Sequence, residues 1–171
     1  GDWTQSILMR NELVDSGQAG SGMFYRNILI ENNVIINAHV HGITVGETLG
    51  LTIRNNTILY NDGGNVDGLD AGVEIPAINV ARTASGVIIT NNLVSVISGY
   101  DGQPGWTVSG NVLIQDQDPF AAGYYNDVFL ASSLQSETGF HAYIILPGSL
   151  AAGAGAAASQ PDAGSDLVVA R

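Results

Sequence analysis

The sequence predicts an all-β fold, a parallel β-helix of about five coils that is closed by a C-terminal cap. Three observations predict it: a recurring asparagine pair, hydrophobic alternation before each pair, and a nearly constant spacing between pairs. The intervals between successive pairs are 21, 23, 36 and 19 residues, and three of the four are near the length of one coil. The intervals are measured between the first residue of each pair, or the residue in its place: Asn11, Asn32, Asn55, Asn91 and Gly110.

The segments before these pairs have the alternation of strands. Period-two alternation places every second side chain on one face of a strand, so their aliphatic residues are predicted to face a core. Those residues are Ile28, Ile30, Leu51, Ile53, Val87 and Ile89. The residues predicted to face outward are Arg10, Glu31, Arg54 and Thr90.

The asparagine pairs are interpreted as corners between strands. Asparagine tolerates the left-handed backbone that a sharp bend requires. Its amide can also pair with the same amide in the next layer. We therefore expect Asn11, Asn32, Asn55 and Asn91 to form one stacked row. A β-sandwich, the alternative fold, explains the alternation but predicts no recurring asparagine pair.

A second strand register supports stacking. The segment "GITVGETLGLTI" aligns with "AINVARTASGVII", which matches Ile43 with Ile78, Thr44 with Asn79 and Val45 with Val80. The same alignment places Pro76 beside His41 in the neighbouring layer, and Glu74 beside His39.

Three regions are predicted: β-helix coils over residues 1–114, a cap and packed tail over residues 115–150, and a low-complexity tail over residues 151–171. The cap is predicted from its aromatic residues, because the last coil would otherwise leave an apolar layer and free backbone groups uncovered. Only six residues precede the first predicted strand. We therefore expect a preceding coil, of the same chain or of a partner chain, to cover residues 7–14.

Composition limits the partners. The net charge is −11, from five basic and sixteen acidic residues, which argues against nucleic acid and against an anionic membrane surface. No run of residues is long and apolar enough to span a bilayer, so membrane insertion is not expected. An anionic polysaccharide would need a bridging cation. No cysteine is present, so disulfides and thiolate catalysis are excluded. The chain also contains no lysine, and a lysine Schiff base is excluded with it.

The repeats over about residues 7–114 resemble the right-handed parallel β-helix superfamily, which includes pectate lyases, polygalacturonases, alginate epimerases and phage tailspikes. The segment "ILPGSLAAGAGA" resembles the "L-x-P-G-S-P-A-x-x-x-G" ending of bacterial β-helix domains, with Leu150 where that pattern has proline. The resemblance implies an extracellular, secreted protein that binds or processes polysaccharide, with lyase-, epimerase- or hydrolase-like chemistry. The alternative is a structural or receptor-binding protein of a virion or cell surface, such as a tailspike or decoration protein, which can be a homotrimer.

The segment "AHVHGITVGETLG" resembles the "GHGISIGS" segment of polygalacturonases, which implies that His41 is an active-site histidine. The other motifs of that family are missing. Only Asp15 lies upstream, where paired aspartates are expected, and Glu74 stands where an arginine is expected. The sequence therefore contains no complete catalytic set of that family.

Two further groups of residues are candidates for chemistry. His39 and His41 are predicted to point outward beside Glu74, where the three side chains can bind a metal, move a proton or contact sugar hydroxyls. Arg54 and Arg10 are predicted to lie near each other in a charge ladder around Glu31, and Arg54 is a candidate beside a uronate bridged by Ca²⁺. The alternative for both groups is a solvated polar face.

A glycine-rich acidic loop is a candidate calcium site. Clustered carboxylates on a flexible loop suit Ca²⁺, which takes six to eight oxygen ligands. The spacing matches neither an EF-hand nor a nonapeptide repeat, and a solvated acidic turn is the alternative. The candidate ligands are Asp62, Asp67, Asp70 and Glu74.

Overall fold

A computed structural model describes residues 6–18, 24–37, 40–60, 75–114, 145 and 147–154. The first strands are β1 (Ile7–Met9), β2 (Tyr25–Glu31), β3 (Val34–Asn37), β4 (His41–Val45), β5 (Thr48–Arg54) and β6 (Thr57–Tyr60). The later strands are β7 (Ala77–Val80), β8 (Ser85–Thr90), β9 (Leu93–Val94), β10 (Val96–Ser98), β11 (Thr107–Ser109) and β12 (Val112–Leu113). A short helix, α1 (Glu12–Asp15), lies between β1 and β2.

The strands form three parallel sheets. Sheet A has the order β1-β4-β7-β10, sheet B the order β2-β5-β8-β11, and sheet C the order β3-β6-β9-β12. The chain visits A, B and C in the same order each time, so three consecutive strands make one layer. The described strands make four such layers. The protein is therefore all-β, with an architecture consistent with the predicted parallel β-helix.

The pairing confirms the predicted register of sheet A with one difference. Ile43 pairs with Ile78 and Val45 with Val80, as the alignment predicts. His41 pairs with Ala77 rather than with Pro76, because the register shifts between His41 and Ile43. Gly42 occupies this irregularity, where a Cβ would lie 2.9 Å from the Ala77 carbonyl oxygen. Only glycine fits this position without a shift of its neighbours.

The core lies between the three sheets. Its side chains come from the alternating aliphatic positions, and Ile43, Ile53 and Ile89 are fully buried. In its second layer, sheet C is buried on its other face as well, whereas Ile36 of the first layer is 38% exposed there. Ile58 belongs to the central core, and the next residue, Leu59, is also fully buried although alternation turns it outward.

The prediction that Asn11 belongs to the stacked row of asparagine corners is wrong. Asn11 has φ −109° and is the N-cap of α1, where its side chain accepts a hydrogen bond from the Leu13 N–H. It follows a strand of sheet A, whereas the asparagine corners follow strands of sheet B. The stacked row therefore contains Asn32, Asn55 and Asn91, with Gly110 in the fourth layer. The predicted count of about five coils included Asn11 and is not confirmed.

The predicted cap and tail fall mostly outside the described residues. Within them, Ile145 and Ala151 are fully buried, whereas Leu150 is exposed. No helix in the described part of the chain is long and apolar enough to cross a membrane.

Candidate functional site

The two residues of each asparagine pair have different structural roles. The first residue adopts the left-handed backbone, with φ of 58° at Asn32, 56° at Asn55 and 62° at Asn91. Gly110 takes this position in the fourth layer with φ 63°, because the bend needs the conformation and not the amide. The first residue therefore makes the corner between sheets B and C.

The second residue of each pair forms an asparagine ladder through the layers, made of Asn33, Asn56, Asn92 and Asn111. Each Nδ2 donates to the Oδ1 of the next layer, at 2.9 Å from Asn33 to Asn56, 2.9 Å from Asn56 to Asn92, and 2.8 Å from Asn92 to Asn111. The same Oδ1 atoms also accept the backbone N–H groups of Asn33, Asn56 and Asn92. Asn56 and Asn92 are fully buried, so the ladder stabilises the fold and does not face a ligand.

A second row of left-handed residues lies within the sheet B strands, and it was not predicted from the sequence. Asn27, Gly50 and Gly86 have φ of 54°, 78° and 64° in successive layers. The row escapes detection because its members differ in residue type. The shared signal is a residue that tolerates positive φ directly before an inward-facing aliphatic residue.

The outer face of sheet A carries a hydrogen-bonded row of polar side chains, which we call the sheet A polar row: His41, Thr44, Asn79 and Ser98. Ser98 Oγ donates to Asn79 Oδ1 at 2.6 Å. Asn79 Nδ2 lies 3.4 Å from Thr44 Oγ1, and His41 Nδ1 lies 2.7 Å from the same oxygen. The row therefore crosses three layers, because these residues belong to β4, β7 and β10.

The direction of the hydrogen bonds in this row follows from Asn79. Its amide nitrogen faces the Val40 carbonyl oxygen at 3.2 Å, which is only an acceptor, so Oδ1 must face Ser98. The Ser98 hydroxyl therefore donates its single hydrogen to Asn79, and towards a ligand it can act only as a hydrogen-bond acceptor. Thr44 is 8% exposed, whereas Asn79 and Ser98 are half-buried. Ser98, Asn79 and the half-buried His41 are therefore the accessible part of the row.

The outer face of sheet B carries the predicted charge pair. Glu31 pairs with Arg54 in the strand register, and Arg54 Nη2 lies 2.6 Å from Glu31 Oε2. Arg54 Nε donates to the same oxygen at 2.7 Å. The Arg54 side chain is 49% exposed, so the pair borders solvent. This contact confirms the predicted Glu31–Arg54 ladder, which Arg10 does not extend because it follows a sheet A strand.

The structure separates two of the predicted site residues. His41 belongs to sheet A and Arg54 to sheet B, so they lie on the faces of different sheets. His39, Glu74 and the predicted calcium ligands Asp62, Asp67 and Asp70 lie outside the described residues. Asn79 and Ser98 were not predicted as site residues, although the Thr44–Asn79 match in the alignment contained the signal.

Metal ligands are not clustered in the described residues. No group of three or more His, Cys, Asp or Glu side chains there could hold a metal ion. The sheet A polar row offers one imidazole, hydroxyls and an amide, which suit hydrogen bonding to hydroxylated ligands better than metal coordination.

Comparison with known proteins adds no family. The chain matches no protein-family model, and no curated protein or solved structure matches it either. The assignment of the fold therefore rests on the strand topology, and any proposal about function rests on the side chains at the surface of the sheets.

Proposed function

We propose that this protein is an extracellular polysaccharide-binding protein of the right-handed parallel β-helix superfamily. It binds glycan on the outer face of sheet A. The sheet A polar row supports the proposal, because its hydroxyl and amide groups repeat along the stack axis as sugar hydroxyls repeat along a glycan chain. Adjacent layers are about 4.8 Å apart, so one chain of sugars lying along that axis meets a new polar side chain at each of the three layers that the row crosses.

The charge of the protein favours a neutral glycan. The net charge is −11, and the strands of sheet A contain no arginine and no lysine. A polyuronate would be repelled from this face without a cation. A hydroxyl group of a neutral glycan, by contrast, can donate a hydrogen bond to Ser98 Oγ, because the Ser98 hydroxyl already donates its own hydrogen bond to Asn79.

Binding is proposed rather than processing. His41 is the one titratable side chain in the sheet A polar row, and acid–base cleavage or epimerisation requires a second proton carrier within reach of the sugar. His39 and Glu74 are the sequence candidates for that second group. A catalytic activity at this face would therefore depend on them.

Affinity electrophoresis in gels that contain neutral glucans, galactans or polyuronates tests the proposal. We expect one or more neutral polysaccharides to retard the protein, and polyuronates to leave its mobility unchanged. Asn79→Ala and Ser98→Ala should abolish the retardation. Thr107→Ala removes an exposed hydroxyl from sheet B and should not change it. Equal losses in all three variants, or no retardation by any neutral glycan, would overturn the proposal.

A structural or receptor-binding role is the second candidate function. Three aliphatic side chains are exposed on sheet B strands, with 52% of Leu29, 40% of Leu49 and 42% of Ile88 accessible. An apolar face of this kind fits side-by-side packing in a homotrimer. This role would be favoured over polysaccharide binding if the protein forms a closed trimer and binds none of the glycans tested. The trimer should then dissociate in the Ile88→Lys variant.

A further inference from the structure

A bulge in strand β4 turns His41 to the outer face of sheet A. His41 and Ile43 pair with two consecutive residues of β7, so β4 contains one residue more than β7 at this point. In a regular strand, residues three positions apart point to opposite faces. Because of the extra residue, His41 and Thr44 lie on the same face, and His41 Nδ1 is 2.7 Å from Thr44 Oγ1.

The direction of the hydrogen bond between His41 and Thr44 follows from the other partner of Thr44 Oγ1. That partner is Asn79 Nδ2, at 3.4 Å, and an amide nitrogen can only donate. Thr44 is buried, and among the described residues His41 Nδ1 is the hydrogen-bond partner that can accept its hydroxyl hydrogen. Because a buried hydroxyl that donates to nothing is costly, Thr44 donates to His41 Nδ1.

The tautomer of His41 follows from this hydrogen bond. An imidazole nitrogen that accepts a hydrogen bond carries no hydrogen, so the hydrogen of the neutral His41 ring lies on Nε2. A ring with its hydrogen on Nδ1 would point that hydrogen at Thr44 Oγ1 and would take away the acceptor of the Thr44 hydroxyl. The hydrogen bonds of the sheet A polar row therefore run in one direction, from Ser98 to His41.

The two ends of the sheet A polar row offer different groups to a ligand. Ser98 in β10 offers an acceptor oxygen, whereas His41 in β4 offers the Nε2–H donor, and both residues are half-buried. The two strands are two layers apart, which is about 10 Å along the stack axis. An uncharged ligand that donates at one of these layers and accepts at the other therefore fits the row in one orientation.

We propose that Thr44 is a positioning residue of the glycan site. It holds His41 as the Nε2–H tautomer, and His41 then donates a hydrogen bond to a hydroxyl or ring oxygen of the glycan. This inference rests on the proposed polysaccharide binding. The donor at His41 and the acceptor at Ser98 give the site a direction along the stack axis, so a neutral glycan binds with one fixed chain polarity.

Nitrogen-15 NMR of the histidine side chains tests the role of Thr44 in the free protein. In mildly alkaline buffer, where histidine is ordinarily neutral, the His41 ring should carry its hydrogen on Nε2 and none on Nδ1. The signals that disappear in His41→Gln are those of His41. Thr44→Val keeps the side-chain shape without the hydroxyl and should give a mixture of the two tautomers, whereas Thr44→Ser should restore the single one.

Two outcomes of this measurement overturn the role of Thr44. One is a His41 ring that carries its hydrogen on Nδ1 in the unchanged protein. The other is a His41 spectrum that Thr44→Val leaves unaltered. Circular dichroism establishes that each variant is folded, and Thr44→Ala replaces Thr44→Val if that variant does not fold.

Affinity electrophoresis in neutral glucans and galactans tests the donor role of His41. His41→Leu should lose the retardation, and His41→Gln, which keeps an N–H donor, should lose less of it. Thr107→Ala, on sheet B, is the control and should be retarded like the unchanged protein. Full retardation of His41→Leu overturns the donor role and leaves polysaccharide binding standing. If neither glycan class retards the unchanged protein, the donor role and the proposed function fail together, and the NMR result still decides whether Thr44 positions His41.

Discussion

The side-chain amide of Asn56 donates to Oδ1 of Asn92 at 2.9 Å, although the two residues are 36 positions apart in the sequence. The same Asn56 amide nitrogen lies 3.1 Å from the Ile30 carbonyl oxygen and 2.9 Å from the Arg54 carbonyl oxygen. One buried side chain thus connects three successive layers. Because polar groups left unpaired in a core are costly, the ladder fixes the layers in one register.

Replacing Asn56 should cost far more stability than replacing its neighbour. Asn56→Ala removes the ladder amide and leaves buried partners in two layers unpaired, which should lower the free energy of unfolding by about 3 kcal/mol. Asn55→Gly keeps the left-handed backbone and loses only the contact from Asn91 Nδ2, which should cost about 1 kcal/mol. Urea denaturation of both variants measures the difference. Equal losses would mean that the two residues do not have separate roles.

Replacing Ser95 with alanine should stabilise the protein. Ser95 is the single residue between β9 and β10, it is 1% exposed, and its hydroxyl has no hydrogen-bond partner. Ser95→Ala removes the unpaired group without adding volume, so we expect a gain of about 1 kcal/mol. Thermal melting should show a higher midpoint. A lower midpoint would mean that the hydroxyl is satisfied in solution.

Gly99 should tolerate no side chain. It has φ +87°, and a Cβ there would lie 2.5 Å from the Val80 carbonyl oxygen. Gly99→Ala should cost more than about 2 kcal/mol, because backbone strain and a steric clash add. Gly102 is the matched control, since it has φ +71° but nothing within 4 Å. Gly102→Ala should show the backbone strain alone, about 1 kcal/mol. Similar losses in the two variants would exclude the close contact as the cause.

The Glu31–Arg54 pair should contribute little to stability. Both side chains border solvent, at 35% and 49% exposure, and exposed ion pairs contribute less than about 1 kcal/mol. A double-mutant cycle with Glu31→Gln and Arg54→Gln measures the coupling, which should shrink further at high salt. A large coupling that salt does not reduce would show that the pair is less hydrated than its exposure indicates.

The proposed calcium site is tested by removing the metal. If Asp62, Asp67, Asp70 and Glu74 bind Ca²⁺, EDTA should lower the melting midpoint and excess calcium should restore it. At a free calcium concentration about 100 times Kd, the stabilisation should be about 2.7 kcal/mol. Asp67→Asn combined with Asp70→Asn should remove the calcium response. An unchanged midpoint in EDTA would leave the loop as a solvated turn.

Local sequence patterns were sufficient for the repeating part of the fold. The alternation of Leu51 and Ile53 and the pair that follows predict a strand and a bend, because side-chain period and left-handed tolerance are properties of neighbouring residues. The same local reasoning failed at Asn11. An asparagine after an apolar strand suits a helix N-cap as well as a corner, and only the strand pairing distinguishes the two.

The sequence by itself therefore determined that the chain forms stacked strands with asparagine corners, and it predicted the register of Ile43 with Ile78. Only the tertiary structure decided which asparagine of each pair forms the ladder through the layers, that His41 and Arg54 lie on different sheets, and that Asn79 and Ser98 extend a polar row from Thr44. The physical reason is that these relationships join residues in different layers. Their distances depend on how many residues each turn of the chain uses, and loops of unequal length make that number vary from layer to layer.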